Sequence, residues 1–182
     1  MVTPLGVDPK RVQRALSERI FLMAVQEHGV FSIMGSTGVT AYEVTINPDL
    51  DCSCPDSRVR GNLCKHQIFV WVRVLRLDVD DIMLEMDDEL RAEIREKMLN
   101  IPQLCYGPST SQSVGAKPTA IRKPIEGNDC PICFEELKEG EALFWCSGSC
   151  GNSIHTDCWN QWAKYQKTDL CVLCRQKFVA AT

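Results

Sequence analysis

Twelve of the fourteen cysteines and histidines in this 182-residue chain fall at zinc-ligand spacings. The larger set runs Cys130-Pro131-Ile132-Cys133, then Cys146, Cys150, His155 and Cys158, then Cys171-Val172-Leu173-Cys174. A tetrahedral zinc takes four thiolate or imidazole ligands at about 2.0–2.3 Å, and a CxxC turn presents two thiolates to one metal. Eight ligands bracketed by two CxxC pairs therefore make two four-ligand sites. A single CxxC would be weak evidence; this set is strong.

The smaller set is Cys52-Ser53-Cys54, then Cys64-Lys65-His66, one further site. Three zinc ions are the expected cofactors. The eleven cysteines do not read as a disulfide scaffold. Their number is odd and their spacings are those of metal sites. The N-terminal residues Met1 to Asp8 lack a charged start and apolar run, so no secretory signal is read there. Reduced thiols imply an intracellular setting, cytoplasm or nucleus. No apolar run, Ile68 to Val72 included, is long enough to span a bilayer, so no membrane role is expected.

Hydrophobic residues make up 45% of the chain, the globular norm, and the net charge is −4. That balance does not favour a mainly electrostatic nucleic-acid binder, although a local basic patch stays open. The exposed cations near the first site, Arg58, Arg60 and Lys65, read as a solvated face.

Apolar spacing at Val12, Leu16, Ile20, Met23 and Ala24 predicts a helix over 9–27, with Asp8 as N-cap, Pro9 in the first turn and Gly29 as the stop. Residues 30–34 and 42–46 read as a hairpin turning at Gly35-Ser36-Thr37-Gly38. A buried helix over 67–77 follows the first metal set, and a second helix over 80–99 turns Ile82, Leu90, Ile94 and Met98 inward. Four prolines with Ser and Thr mark 102–127 as a linker. The expected domains are thus 1–101, the linker 102–127, and 128–178. No internal repeat is apparent.

The CxC…CxH set, with strands before it and a helix after it, resembles the SWIM zinc finger in its ββα arrangement, over roughly residues 30–77. The eight-ligand set, with histidine fifth, resembles a RING-type finger. That resemblance implies a cross-brace: Cys130, Cys133, His155 and Cys158 at one zinc, and Cys146, Cys150, Cys171 and Cys174 at the other. PHD fingers, which read histone tails, share the ligand order but carry Trp two residues before the seventh ligand, where this chain has Asp169. RING ubiquitin ligases carry an apolar residue inside the first CxxC, Trp four residues after the sixth ligand, and a basic residue after the eighth. Ile132, Trp162 and Arg175 stand there. The chain departs from many ligases at Val172, where they have Pro.

A SWIM finger followed by a RING resembles the SWIM-plus-RING ubiquitin ligases. The fold implied is small, zinc-stabilised α+β: a ββα SWIM finger with flanking helices, a linker, then a cross-brace RING. The implied activity is ubiquitin transfer. Ile132, Trp162 and Val172 would contact a charged ubiquitin-conjugating enzyme, and Arg175 would position ubiquitin. The SWIM finger would bind a protein substrate or partner. Ile132 and Trp162 could instead be small-domain core, and Arg175 a surface cation. The competing class is a non-enzymatic zinc-dependent adaptor or a PHD-like reader. Cys105 and His28 fit neither set and read as bystanders. The acidic run from Asp78 to Glu89 reads as a solvated face with helix N-terminal charges.

Overall fold

The computed structural model describes residues 7–26, 29–46, 50–83, 87–101, 120–178 and 180–181. The chain divides into two compact units, Met1–Ile101 and Pro102–Thr182. The expectations for His28, Cys105, Glu85 and most of the 102–127 linker fall outside the described residues.

The first unit opens with α1 (Pro9–Ser17), capped by the Asp8 carboxylate, which accepts from Lys10 N at 2.9 Å. The helix predicted over 9–27 is too long. At Glu18 the backbone turns extended (φ −79°, ψ 143°), and Phe21–Gln26 is a strand, β1. The apolar run Ile20 to Met23 is buried throughout, and a short, continuous apolar run suits a core strand as well as a helix. Pairing decides it: β1 lies antiparallel on β2 (Val30–Met34), from Phe21↔Met34 to Gln26↔Val30.

β2 pairs in turn with β3 (Ala41–Ile46), closing the expected hairpin, with Gly38 N–H donating to Gly35 C=O at 2.9 Å. β4 (Leu50–Cys52) adds to β3, with Val44 opposite Cys52. The result is a four-stranded antiparallel meander, β1-β2-β3-β4. After the single turn α2 (Pro55–Arg58), α3 (Lys65–Phe69) starts at Cys64 and continues as a π-helix over Val70–Val74. Ile68, Phe69, Val70 and Trp71 bury with Phe31, Ile33, Val44 and Ile46 to form the core of this unit. A 3₁₀ turn (Asp80–Met83) and α4 (Asp88–Asn100) follow; only Ile94 of α4 is buried.

The second unit is a three-stranded sheet, β6-β5-β7, built from β5 (Leu143–Cys146), β6 (Ser153–His155) and β7 (Ala180–Ala181). Helix α5 (Thr156–Gln166) begins directly after β6. Residues 120–123 run beside the 147–151 loop, with Ala120 N–H to Ser147 C=O at 3.1 Å and Lys123 N–H to Gly151 C=O at 2.9 Å. The approach demands glycine: Gly151 has φ +70°, and a Cβ there would sit 2.2 Å from the Ile121 carbonyl oxygen.

Candidate metal centres

Three clusters of four side chains converge among the described residues: Cys52, Cys54, Cys64 and His66; Cys130, Cys133, His155 and Cys158; and Cys146, Cys150, Cys171 and Cys174. Within each, the candidate ligand atoms all lie within 4.8 Å of one another. The last two clusters interleave: the first and third ligand pairs meet at one point, the second and fourth at the other.

The secondary structure places the first cluster at three element ends. Cys52 closes β4, Cys54 caps α2 and Cys64 caps α3, with His66 in the first turn of α3. Gln67 fixes this junction. Its Oε1 accepts from Cys64 N at 2.8 Å, and its Nε2 donates to Leu50 C=O at 2.9 Å. A buried amide satisfied at both ends ties the helix start to β4. The Tyr42 ring lies 5.0 Å from the His66 ring.

In the second unit two backbone knuckles carry the CxxC pairs, and they are built alike. Cys130 N–H reaches Glu135 C=O and Cys171 N–H reaches Gln176 C=O, each at 2.8 Å. Phe134 N–H reaches Cys130 C=O at 2.9 Å and Arg175 N–H reaches Cys171 C=O at 3.0 Å. Phe134 and Arg175, each just after a second cysteine, both have positive φ (57° and 60°). Between the knuckles, β5 supplies Cys146, the loop after it Cys150, the end of β6 His155 and the start of α5 Cys158.

The spacings fit a tetrahedral ion. Zinc bonded to sulfur at about 2.3 Å and to nitrogen at about 2.0–2.1 Å gives thiolate–thiolate edges of about 3.8 Å and thiolate–imidazole edges of about 3.6 Å. Cys146 and Cys174 Sγ are 3.9 Å apart, and Cys150 and Cys171 Sγ 3.8 Å. His155 Nδ1 is 3.3 Å from Cys133 Sγ and 3.8 Å from Cys158 Sγ. His66 Nδ1 is 3.8 Å from Cys64 Sγ and 4.0 Å from Cys52 Sγ. A disulfide would need about 2.05 Å between sulfurs, and none joins the described cysteines.

Crowded thiols also shift one another's protons. The hydrogen bond from Cys52 lowers Cys64 to about 4 while the same contact raises Cys52. Contacts with Cys130 and then Cys133 push His155 up to about 11. Thiols bind a dication as thiolates, so an ion at each cluster would take the place of these shared protons. The residues present thus fit zinc at all three points.

The other sequence-predicted site residues are placed differently. Ile132 and Val172 are 0% exposed and Trp162 1%, so they lie inside the unit and present no open groove. Trp162 neighbours Trp159, whose ring stacks on Phe178 at 3.9 Å. Arg175 is exposed. Sequence reasoning missed Gln67 and also Glu141, whose Oε2 lies 3.1 Å from His155 Nε2.

Comparison with known proteins agrees with these modules. The Ring finger domain family matches residues 128–175, and the SWIM zinc finger family matches residues 42–70. The chain is 31% identical over 75% of its length to the E3 ubiquitin-protein ligase Zswim2 of Mus musculus, and 32% identical over 72% to ZSWIM2 of Homo sapiens. It is 27% identical over 93% of its length to mitogen-activated protein kinase kinase kinase 1 of Rattus norvegicus. It spans 24% of the mouse Zswim2 protein, 22% of the human one and 13% of the rat kinase. No solved structure matches. With a SWIM zinc finger over its first metal centre and a RING finger over the other two, the chain belongs to the SWIM–RING family.

Proposed function

We propose that this chain is the transfer-directing part of a ubiquitin-protein ligase, with three zinc ions as structural cofactors. The observation that carries the reading is the RING finger with interleaved centres in a chain similar to Zswim2, a protein named for that activity. The chemistry available is positional. All ten described cysteines belong to four-ligand clusters, so none of them is left as a nucleophile. A zinc with four protein ligands has no open position for an attacking water.

The work then falls to alignment: a charged conjugating enzyme docks on the RING, and a substrate lysine attacks its thioester. Alignment of this kind can lower a barrier by several kcal/mol. Arg175 is the side chain suited to bridging enzyme and ubiquitin. It is exposed, projects from a rigid knuckle, and its guanidinium offers five donors. The SWIM finger is assigned the protein substrate or partner, and the domain limits 1–101, 102–127 and 128–178 follow the metal sets. Ubiquitin and its conjugating enzyme are the partners, and an intracellular setting fits reduced thiols.

One observation favours a second reading, a non-enzymatic adaptor. Ile132, Trp162 and Val172 are buried, so they touch a partner only if the side chains over them move aside. Discharge of ubiquitin from a charged conjugating enzyme separates the readings. Arg175→Ala should slow it by about tenfold or more, the loss of one charge-assisted hydrogen bond of about 1.5–3 kcal/mol. Ile132→Ala deletes a fully buried side chain at a cost of about 2–5 kcal/mol, so its zinc content must be measured alongside. Unchanged discharge by Arg175→Ala with three zincs retained would leave the adaptor standing.

A further inference from the structure

The two histidines in the clusters differ in what their second ring nitrogen meets. In both, Nδ1 faces the cysteines. His66 Nε2 is buried without a hydrogen-bond partner among the described residues. His155 Nε2, on a side chain only 6% exposed, lies 3.1 Å from Glu141 Oε2.

That carboxylate is held from two directions. The same Oε2 accepts from Lys138 N at 3.0 Å, and Glu141 N–H returns to Lys138 C=O at 3.4 Å, so the side chain closes a turn through Gly140 (φ +85°). Just beyond, Leu143 pairs with His155 in the β5–β6 register, and Thr156 N–H donates to Ala142 C=O at 2.9 Å. The backbone on both sides of the contact is therefore fixed by the sheet, and the pairing is no accident of two loose surface side chains.

An imidazole ligand must leave one nitrogen unprotonated for the metal, and a carboxylate on the other nitrogen selects that tautomer, orients the ring and raises its basicity. We propose that Glu141 is a positioning residue for the Cys130–Cys133–His155–Cys158 centre, accepting a hydrogen bond from His155 Nε2–H so that the Nδ1 lone pair stays on the metal. Among the described residues the first cluster has no such support at His66, so the two histidine-containing centres are held differently. The inference rests on the zinc reading and not on ubiquitin transfer, and its test uses no ubiquitin.

The full chain, loaded with zinc, is challenged with a competing chelator while ¹⁵N spectra follow the imidazoles. In Glu141→Ala one of the three ions should leave about 10–100-fold faster, with the other two unchanged. The His155 nitrogens should lose the pattern of a metal-bound Nδ1 with a protonated Nε2, while those of His66 hold. Glu141→Gln, whose amide oxygen still accepts a hydrogen bond from Nε2–H, should recover most of the slow release. Wild-type release rates in Glu141→Ala, acceleration of all three ions together, or a Gln variant no better than Ala would each overturn the assignment.

Discussion

Arg175 carries a backbone cost that its neighbours do not. Its φ of +60° is in the left-handed region, where an L side chain costs roughly 1–2 kcal/mol relative to glycine's freedom. The knuckle geometry requires that conformation, but nothing in the knuckle requires arginine. If the guanidinium serves transfer, stability and activity should separate on replacement. Arg175→Gly should raise the thermal midpoint of the zinc-loaded chain, by about 1 kcal/mol in stability, and slow ubiquitin discharge as far as Arg175→Ala does. A lower midpoint in Arg175→Gly would mean the side chain is part of the packing and would remove this argument for a functional arginine. At this scale the ligands were legible, because thiolates and imidazoles at turn spacing have few other uses. Glu141 and Gln67 were not. A carboxylate meets His155 only through the β5–β6 register, and an amide meets Leu50 only once β4 is beside α3; neither pairing leaves a mark in local spacing.

Helix α1 is fastened to the first unit by charge rather than by a broad apolar face. Only Ala15 of the helix is buried. Arg11 Nε contacts Asp56 at 3.1 Å, Ser36 Oγ donates to Glu18 at 3.2 Å, and the Glu18 carboxylate receives both Arg14 and Lys65. Glu18 is the hub. Burial raises its carboxyl, but hydrogen bonds from Lys65 and Arg14, together with their charges, outweigh burial and hold it at about 2. A folded pKa below the unfolded value of about 4.5 means the contribution is complete above about pH 4.5 and disappears as pH falls toward 2. Glu18→Gln should therefore destabilise the first unit near neutral pH, by about 0.5–1 kcal/mol for a partly exposed cluster. Urea midpoints of wild type and variant should converge below that window, and a gap that persists at pH 2 would assign the effect to shape. These same charges explain the misread boundary. Helical spacing at Ile20, Met23 and Ala24 is real, but Glu18 is pulled onto Lys65 and the chain leaves the helix there, so those side chains enter the sheet. The knuckles show the reverse case. No repeat is visible in the residues between ligands, yet 128–137 and 169–178 share one hydrogen-bond pattern down to Leu137 N–H on Asn128 and Phe178 N–H on Asp169, at 2.9 and 2.8 Å. The metal pairs impose the backbone, and the intervening side chains are free to differ.

The two units stand on different foundations. The first has a four-stranded sheet with a packed helix behind it, and Leu22, Phe31, Ile33, Ile46, Ile68, Phe69 and Trp71 are all buried beside a single metal cluster. The second has three short strands, and its buried apolar side chains barely outnumber the eight ligands that cross-link its loops. A domain too small to bury an adequate core draws its folding free energy from metal, and removal of structural zinc then removes the fold. Chelation should therefore act unequally. Native mass spectrometry should count three ions in the intact chain. After their removal, amide exchange across β5, β6 and α5 should approach that of an unfolded chain, while amides of β1, β2 and β3 keep measurable protection. Acid should do the same, because thiolates must be deprotonated to hold zinc and protonation releases it as pH falls. Loss of protection in both units together would show that the sheet of the first depends on its metal as completely as the second depends on its pair. A count of two ions would contradict the ligand sets themselves.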